Sequence, residues 1–428
     1  MNAYIILEPI LKDILLVIQP LRDDRTIRHH IVNEFRNIVQ SVESLRGAIV
    51  EPFGSFVSNL FTRWGDLDIS IELPNGSYIS FAGKKRKHNL LGDVLDALRR
   101  MGRCRKLQFI PNARVPILKF ENHQNISCDV SIDNLKGLMK SKFLYWISGI
   151  DGRFRELVLL VKEWAKAHAI NNPKAGTLNS YSLTLLVIFH FQTCVPAILP
   201  PLKEIYPGNI VDDLSGVRDV VERQIEETCA ANIARFKSDC KIPANRSSLS
   251  VLFISFFAKF SDIALRASEQ GLCPFAGKWE DIRTNMRWQP KTYTFFIEDP
   301  FEQPDNTART VSSGQLTRIS EAFKRTHSEL VSANQNRNSI IATLVRPQIS
   351  RFIGGTAPVR SPGTSGRGPP QARQQVRRAA YSTAQLRPQF QNMSRGTRSA
   401  RPKAVSNQRP PQSGHGQPQM VWRPRSDR

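Results

Sequence analysis

The sequence predicts an α+β fold: a small α/β sheet domain, a mostly helical domain after it and a disordered C-terminal tail. Three observations carry this. Short segments with two-residue alternation cluster before residue 133. From residue 135 apolar positions recur at helical spacing. Beyond 344 the hydrophobic pattern stops and Pro, Gly, Gln, Ser and Arg dominate.

The first segment, MNAYIILEPILKDILLVIQP, is apolar but broken by Glu8, Lys12 and Asp13, and it has no basic leader or small-residue cleavage site. It reads as an amphipathic helix, residues 1–21, packing on the helical domain. The sheet domain is expected over 22–134. Ile27, Ile31, Phe35, Ile38 and Val42 mark a helix, and GAIVEPFGS a strand running into a turn. The next strand holds Leu67, Ile69 and Ile71 alternating with Asp66, Asp68 and Ser70. A helix around HNLLGDVLDALRRMG follows, then strand signals in RKLQFI, VPILKFE and ISCDVSI. The helical domain, 135–343, is read from LMKSKFLYWIS, FRELVLLVKEWAKAHA, SYSLTLLVIFHFQTCV, VRDVVERQIEETCAANIARF and LSVLFISFFAKFSDIAL. The tail, 344–428, buries too little apolar surface to offset the entropy of ordering.

Charge is uneven. The chain carries +23, of which the tail holds +15, from sixteen Lys and Arg against the single acid Asp427. Such a segment binds phosphate with steep salt dependence; it equally suits a docking site for a protein or a solubilising linker. KKRK at 84–87 reads as a nuclear-import signal, an RNA phosphate contact or a solvated basic loop. The six cysteines show no CxxC or zinc-like spacing and fit reduced thiols in a nuclear or cytoplasmic protein. No run is long and apolar enough to span a membrane, so no membrane association is expected.

The alternation at 66–71 puts Asp66 and Asp68 on one face of a strand. Adjacent like charges repel, so a fold that keeps both gives them a shared cation or a solvated edge. Asp129 in NISCDVSID alternates in the same way. On an adjacent strand it completes a set able to hold two divalent ions, which activate an oxygen nucleophile and stabilise the leaving oxygen in phosphoryl transfer. Upstream, Gly54 lets the backbone approach phosphate, and the Ser55 hydroxyl with backbone donors can cradle a triphosphate.

Gly-Ser, ten residues, Asp-x-Asp and a later strand Asp resemble the DNA polymerase β-like nucleotidyltransferases. TLNSYSLTLLV, VKEWAK and IEDPFEQPDNTARTV resemble the terminal uridylyltransferases and cytoplasmic-type poly(A) polymerases, whose second domain is the helical poly(A) polymerase-associated domain. FGSFVSNLFTRWGDLDIS and FHFQTCVPAILPPL are similar to the plant small-RNA uridylyltransferases that tail unmethylated microRNAs. The resemblance spans about residues 20–325 and leaves the tail outside.

This resemblance implies that Asp66, Asp68 and Asp129 are the catalytic, metal-holding carboxylates, and that Gly54 and Ser55 form the triphosphate loop. Lys162 and Lys166, on one helix face at i, i+4, match the phosphate-binding lysines. Ser180 and Tyr181 match the pair in which a hydroxyl meets the phosphates and a ring stacks on the base. Asn134 stands where the family reads a pyrimidine edge, and Ser141 where it contacts the ribose. Asp299, Glu302 and Arg309 lie in the segment closing over the base. Two positions depart from the pattern. Asp305 replaces a His that favours UTP over ATP in some uridylyltransferases, and Lys140 replaces an Asn beside Ser141.

The resemblance therefore implies template-independent addition of uridylates from UTP to RNA 3′ ends, probed most naturally on small RNAs and promoting their turnover, with Mg2+ or Mn2+ as cofactor. RNA, UTP and an Argonaute carrying its small RNA are the implied partners, and the protein is expected to be a monomer in nucleus and cytoplasm. Asp305 leaves a poly(A) polymerase using ATP open, and an inactive RNA- or protein-binding scaffold is the alternative from another class.

Overall fold

The structure, a computed structural model, describes residues 3–353 except 75, 242, 290–292 and 333–335. Its elements run α1 (Ala3–Ile18), α2 (Arg22–Gln40), β1 (Ile49–Phe53), α3 (Gly54–Val57), β2 (Leu67–Glu72), α4 (Lys84–Met101), β3 (Arg105–Ile110), β4 (Ile117–Glu121) and β5 (Ser127–Ile132). They continue as α5 (Leu135–Ser148), α6 (Gly152–Ala167), α7 (Ser180–Thr193), α8 (Ile210–Asp213), α9 (Arg218–Ser238), α10 (Leu249–Phe260), α11 (Ile263–Arg266), β6 (Gln270–Cys273), β7 (Lys278–Asp281), α12 (Ser313–Val331), α13 (Arg337–Leu344) and α14 (Pro347–Ile353). This is the α+β architecture expected from the sequence.

The larger sheet has the order β1-β2-β5-β4-β3. Only β2 and β5 pair in parallel; β1–β2, β4–β5 and β3–β4 are antiparallel. Pro52 is tolerated because β1 lies at an edge, where a missing N–H breaks no inner ladder. The inward faces of β2 and β5 supply Leu67, Ile69, Ile71, Cys128, Val130 and Ile132, all fully buried against α2 and α4. The opposite alternate positions carry Asp68 and Asp129, away from that core.

A second core gathers α1, α5, α6, α7, α10 and α12. In α7 every residue from Ser182 to Gln192 is buried, so it is the central helix, apolar all round rather than on one stripe. Leu7, Ile10, Leu11, Ile14, Leu15 and Ile18 of α1 pack into this core. His190 is buried among Phe191 and Phe256, and burial lowers it to about 3, leaving a neutral structural imidazole. Among the described residues no helix is long and apolar enough to cross a membrane.

Three features differ from the sequence reading. KKRK forms the first turn of α4, and Lys87 donates to the Asp133 carbonyl at 3.2 Å. The β6–β7 hairpin has strands of four residues each, too short for alternation to reveal. Helices α13 and α14 carry order through residues 344–353, which the sequence assigns to the tail. Arg346 explains this: its guanidinium makes two 2.9 Å bonds to the fully buried Glu163 of α6, and a buried carboxylate requires such a partner. The remaining tail, 354–428, with its expected disorder and RNA- or protein-binding role, lies outside the described residues.

Candidate active site

In the parallel β2–β5 pair, Asp68 stands opposite Asp129. Phe53 stands opposite Asp68 on the other side, which delivers the following Gly54 onto the carboxylate. Gly54 has φ +68°, and a Cβ built there would lie 2.0 Å from Asp68 Oδ2. Only glycine meets both the left-handed backbone and the contact. Its N–H donates to Ser141 Oγ at 2.7 Å, and that hydroxyl donates onward to the Gly137 carbonyl at 2.7 Å. Ser141 is therefore buried and fixes the Gly-Ser turn against α5. A ribose contact from this hydroxyl requires one of those bonds to open.

The carboxylates repel one another. Burial, then Asp129 and Asp66, pushes Asp68 up to about 7. Burial also raises Asp129, opposed by Lys119. Lys119, opposite Asp129 on β4, places its ammonium 3.0 Å from Asp129 Oδ1 and 3.7 Å from Asp66 Oδ2. That Asp129 oxygen is buried without a well-formed hydrogen bond. Mutually repelling carboxylates, an unsatisfied buried oxygen and a cation drawn to them fit a site for divalent metal. Sequence reading missed Lys119, although alternation in VPILKFE puts it on the Asp129 face once β4 pairs with β5.

Lys162 of α6 is buried and donates to the Leu60 carbonyl at 2.8 Å, tying α6 to the chain just after the Gly-Ser turn. Burial, then Lys166, lowers it to about 8, with Asp68 and Asp66 opposing. Lys166 is also lowered, by burial and by Arg346. Ser180 starts α7, 3.2 Å from the Asn171 amide nitrogen that donates to it. The Tyr181 hydroxyl donates to Asp299 Oδ1 at 3.0 Å, holding the ring beside the 299–309 segment.

That segment is dense with charge. Oxygens of Asp299, Glu302 and Asp305 come within 4.8 Å of one another. Cations answer them: Lys140 to Asp299 and to Glu302 at 2.7 Å, Lys136 to Glu302 at 2.9 Å, Arg114 to Glu302 at 3.0 Å. Arg114 also pairs with Asp305, which Arg309 reaches at 3.0 Å. Burial works against ionisation of Glu302, but Lys140 and Lys136 outweigh it and hold the carboxyl near about 2. Arg114 comes from the β3–β4 turn, so it ties the sheet to the base segment. Lys136, Lys140 and Arg114 were invisible as partners in the sequence because the acids lie more than 150 residues away.

Asn134 is placed differently from the rest. It caps α5, accepting from Gly137 N at 3.2 Å and donating to Ser131 Oγ at 3.3 Å. The structure thus joins Gly54, Asp68, Asp129 and Ser141 in one set and Tyr181, Asp299, Glu302, Asp305 and Arg309 in another. The amide of Asn134 is engaged within its own turn.

A family model for the central palm domain of mitochondrial-like poly(A) RNA polymerases matches residues 7–149. Protein HESO1 of Arabidopsis thaliana is 62% identical over 348 residues, covering 81% of this chain and 68% of that protein. The human mitochondrial poly(A) RNA polymerase is 28% identical over 316 residues, and the chain spans about half of its length. Among solved structures, mitochondrial poly(A) polymerase with UTP superposes at TM-score 0.60 and 21% identity, over 80% of this chain and 71% of that one. A cytoplasmic RNA terminal U-transferase does so at TM-score 0.60 and 24% identity, over 79% and 99%. These structures show the shared fold. With HESO1 as its relative, the chain belongs to the terminal uridylyltransferase and cytoplasmic-type poly(A) polymerase branch of the polymerase β-like nucleotidyltransferases.

Proposed function

We infer that the protein is a template-independent RNA terminal uridylyltransferase, which joins the 3′-hydroxyl of RNA to the α-phosphate of UTP and releases pyrophosphate. The observation that carries the reaction class is the in-register Asp68–Asp129 pair with Gly54 closed on Asp68. Kinship with HESO1 and the cation-rich base segment support uridine as the added base.

Divalent cations held by Asp66, Asp68 and Asp129, magnesium or manganese, would supply the positive charge that activates the hydroxyl and neutralises the triphosphate. The rest is positioning. Gly54 and Ser55 bring backbone against the phosphates. Lys162 and Lys166 set two ammoniums beside the leaving pyrophosphate, and Tyr181 gives a flat, sequence-tolerant stacking face.

Short RNAs as substrates, their turnover, an Argonaute partner, a monomeric state and residence in nucleus and cytoplasm follow from the same family reading. The cysteines Cys104, Cys128, Cys194, Cys229, Cys240 and Cys273 are free thiols, in keeping with a reducing compartment. The test is extension of labelled RNA with UTP by the wild type, beside Asp66→Ala/Asp68→Ala and an RNA ending in 3′-deoxy. Extension confined to the wild type on a 3′-hydroxyl end is expected; extension by the double variant overturns the assignment of the carboxylates.

A further inference from the structure

Around Tyr181 the carboxylate oxygens are already taken. Asp299 Oδ1 accepts from the Tyr181 hydroxyl at 3.0 Å and from the Phe301 and Glu302 amides at 3.1 and 3.2 Å. Asp299 Oδ2 and Glu302 Oε2 accept from Lys140, the latter at 2.7 Å. Glu302 Oε1 accepts from Arg114 at 3.0 Å and Lys136 at 2.9 Å. Asp305 is shared by Arg114 and Arg309. Seen from a base lying on Tyr181, this wall is poor in acceptors and rich in N–H groups.

Lys140 is the cation placed to use that. Its side chain is 18% exposed, and its ammonium lies 5.5 Å from the Tyr181 ring centroid, at the edge of a base stacked on that ring. An ammonium has three N–H donors and no acceptor. Asp299 and Glu302 take two. The third has the base edge before it.

We propose that Lys140 is a specificity-determining residue: its remaining N–H is donated to the O4 carbonyl of uracil stacked on Tyr181, while the wall offers nothing to the exocyclic amino group of cytosine or adenine. The inference rests on the uridylyltransferase reading. It gives Asp305 a role without making it a base acceptor: the aspartate holds Arg114 and Arg309 and so keeps its own oxygens away from an amino group. The acids hold Lys140 in place, and Lys140 reads the base. A site built to hydrogen-bond one group discriminates strongly against a substrate that presents the opposite polarity there.

The test compares kcat/KM for UTP, CTP and ATP in wild type, Lys140→Met and Lys140→Arg, with 4-thio-UTP as a probe whose sulfur is a poor acceptor. In the wild type, UTP is expected to exceed 4-thio-UTP severalfold. In Lys140→Met the UTP-over-ATP and UTP-over-CTP ratios fall about tenfold or more, UTP and 4-thio-UTP become equivalent, and Lys140→Arg restores the preference. Equal loss with every nucleotide makes Lys140 merely structural and overturns the proposal, as does a wild type indifferent to 4-thio-UTP, a result that stands even if Lys140→Met fails to fold. A wild type that prefers ATP sinks the uridylyltransferase reading itself, which separates the two failures.

Discussion

Asp68 and Asp129 face each other across the parallel β2–β5 pair, with the Lys119 ammonium 3.0 Å from Asp129 as the cation among the acids. Keeping these carboxylates together costs stability when no metal neutralises them. Asp68 is raised by burial, then by Asp129 and Asp66, from 3.8 to about 7. The folded protein therefore holds a proton across this interval that the unfolded chain releases, and the associated stability is lost as pH rises from about 4 through about 7. In chelator, the thermal midpoint of the wild type should fall between pH 5 and 8. Asp68→Asn should flatten that fall and melt higher than wild type at pH 8, while abolishing extension. A variant that melts lower at pH 8 contradicts the repulsion.

Gly54→Ala tests the turn. The new methyl would lie 2.0 Å from Asp68 Oδ2 on a backbone at φ +68°, so the turn or the carboxylate must move. The strain, about 1–2 kcal/mol, is small beside the stability of a domain, so the variant should fold. Its kcat/KM should fall at least about a hundredfold, since a misplacement of about 1 Å has that effect. Activity within a fewfold of wild type, beside an unchanged melting curve, would show that the close approach is dispensable.

Lys162 predicts a pH dependence of nucleotide binding. Burial and Lys166 lower it to about 8. In the free enzyme its charge is present below that value and lost above it, so KM for UTP should rise as pH climbs from 7 to 9. Lys162→Arg, charged throughout this range, should remove most of the rise. A pH-independent KM in the wild type argues that Lys162 meets no phosphate.

Arg346 predicts where the fold ends. Its guanidinium and backbone N–H all reach the buried carboxylate of Glu163. Removing one partner of a buried pair costs about 3–5 kcal/mol. A chain ending at 343 should therefore melt far below one ending at 353, and Arg346→Ala should reproduce much of that loss. Equal melting of the two truncations would place the pair outside the cooperative unit.

Much of this was legible in the sequence. Strand alternation alone located Asp68 and Asp129, because a period of two leaves a single face for every second residue. Glycine at 54 was legible for its backbone freedom, though the carboxylate it meets was not. What stayed hidden was tertiary. Nothing local tells that the Ser141 hydroxyl holds the Gly54 amide, or that Arg114 reaches Asp305, 191 residues later. The end of the helical layer was misplaced for the same reason: residues 344–353 have the composition of the tail, and only the distant Glu163 makes Arg346 part of the core.

The central claim, uridylate addition by this carboxylate set, is met most directly by one experiment. A short unmodified RNA is incubated with the full chain and an equimolar mixture of the four nucleoside triphosphates, and the added tails are sequenced. Tails composed almost wholly of uridylate, absent with Asp66→Ala/Asp68→Ala, are the predicted result; adenylate tails of equal or greater abundance would contradict it.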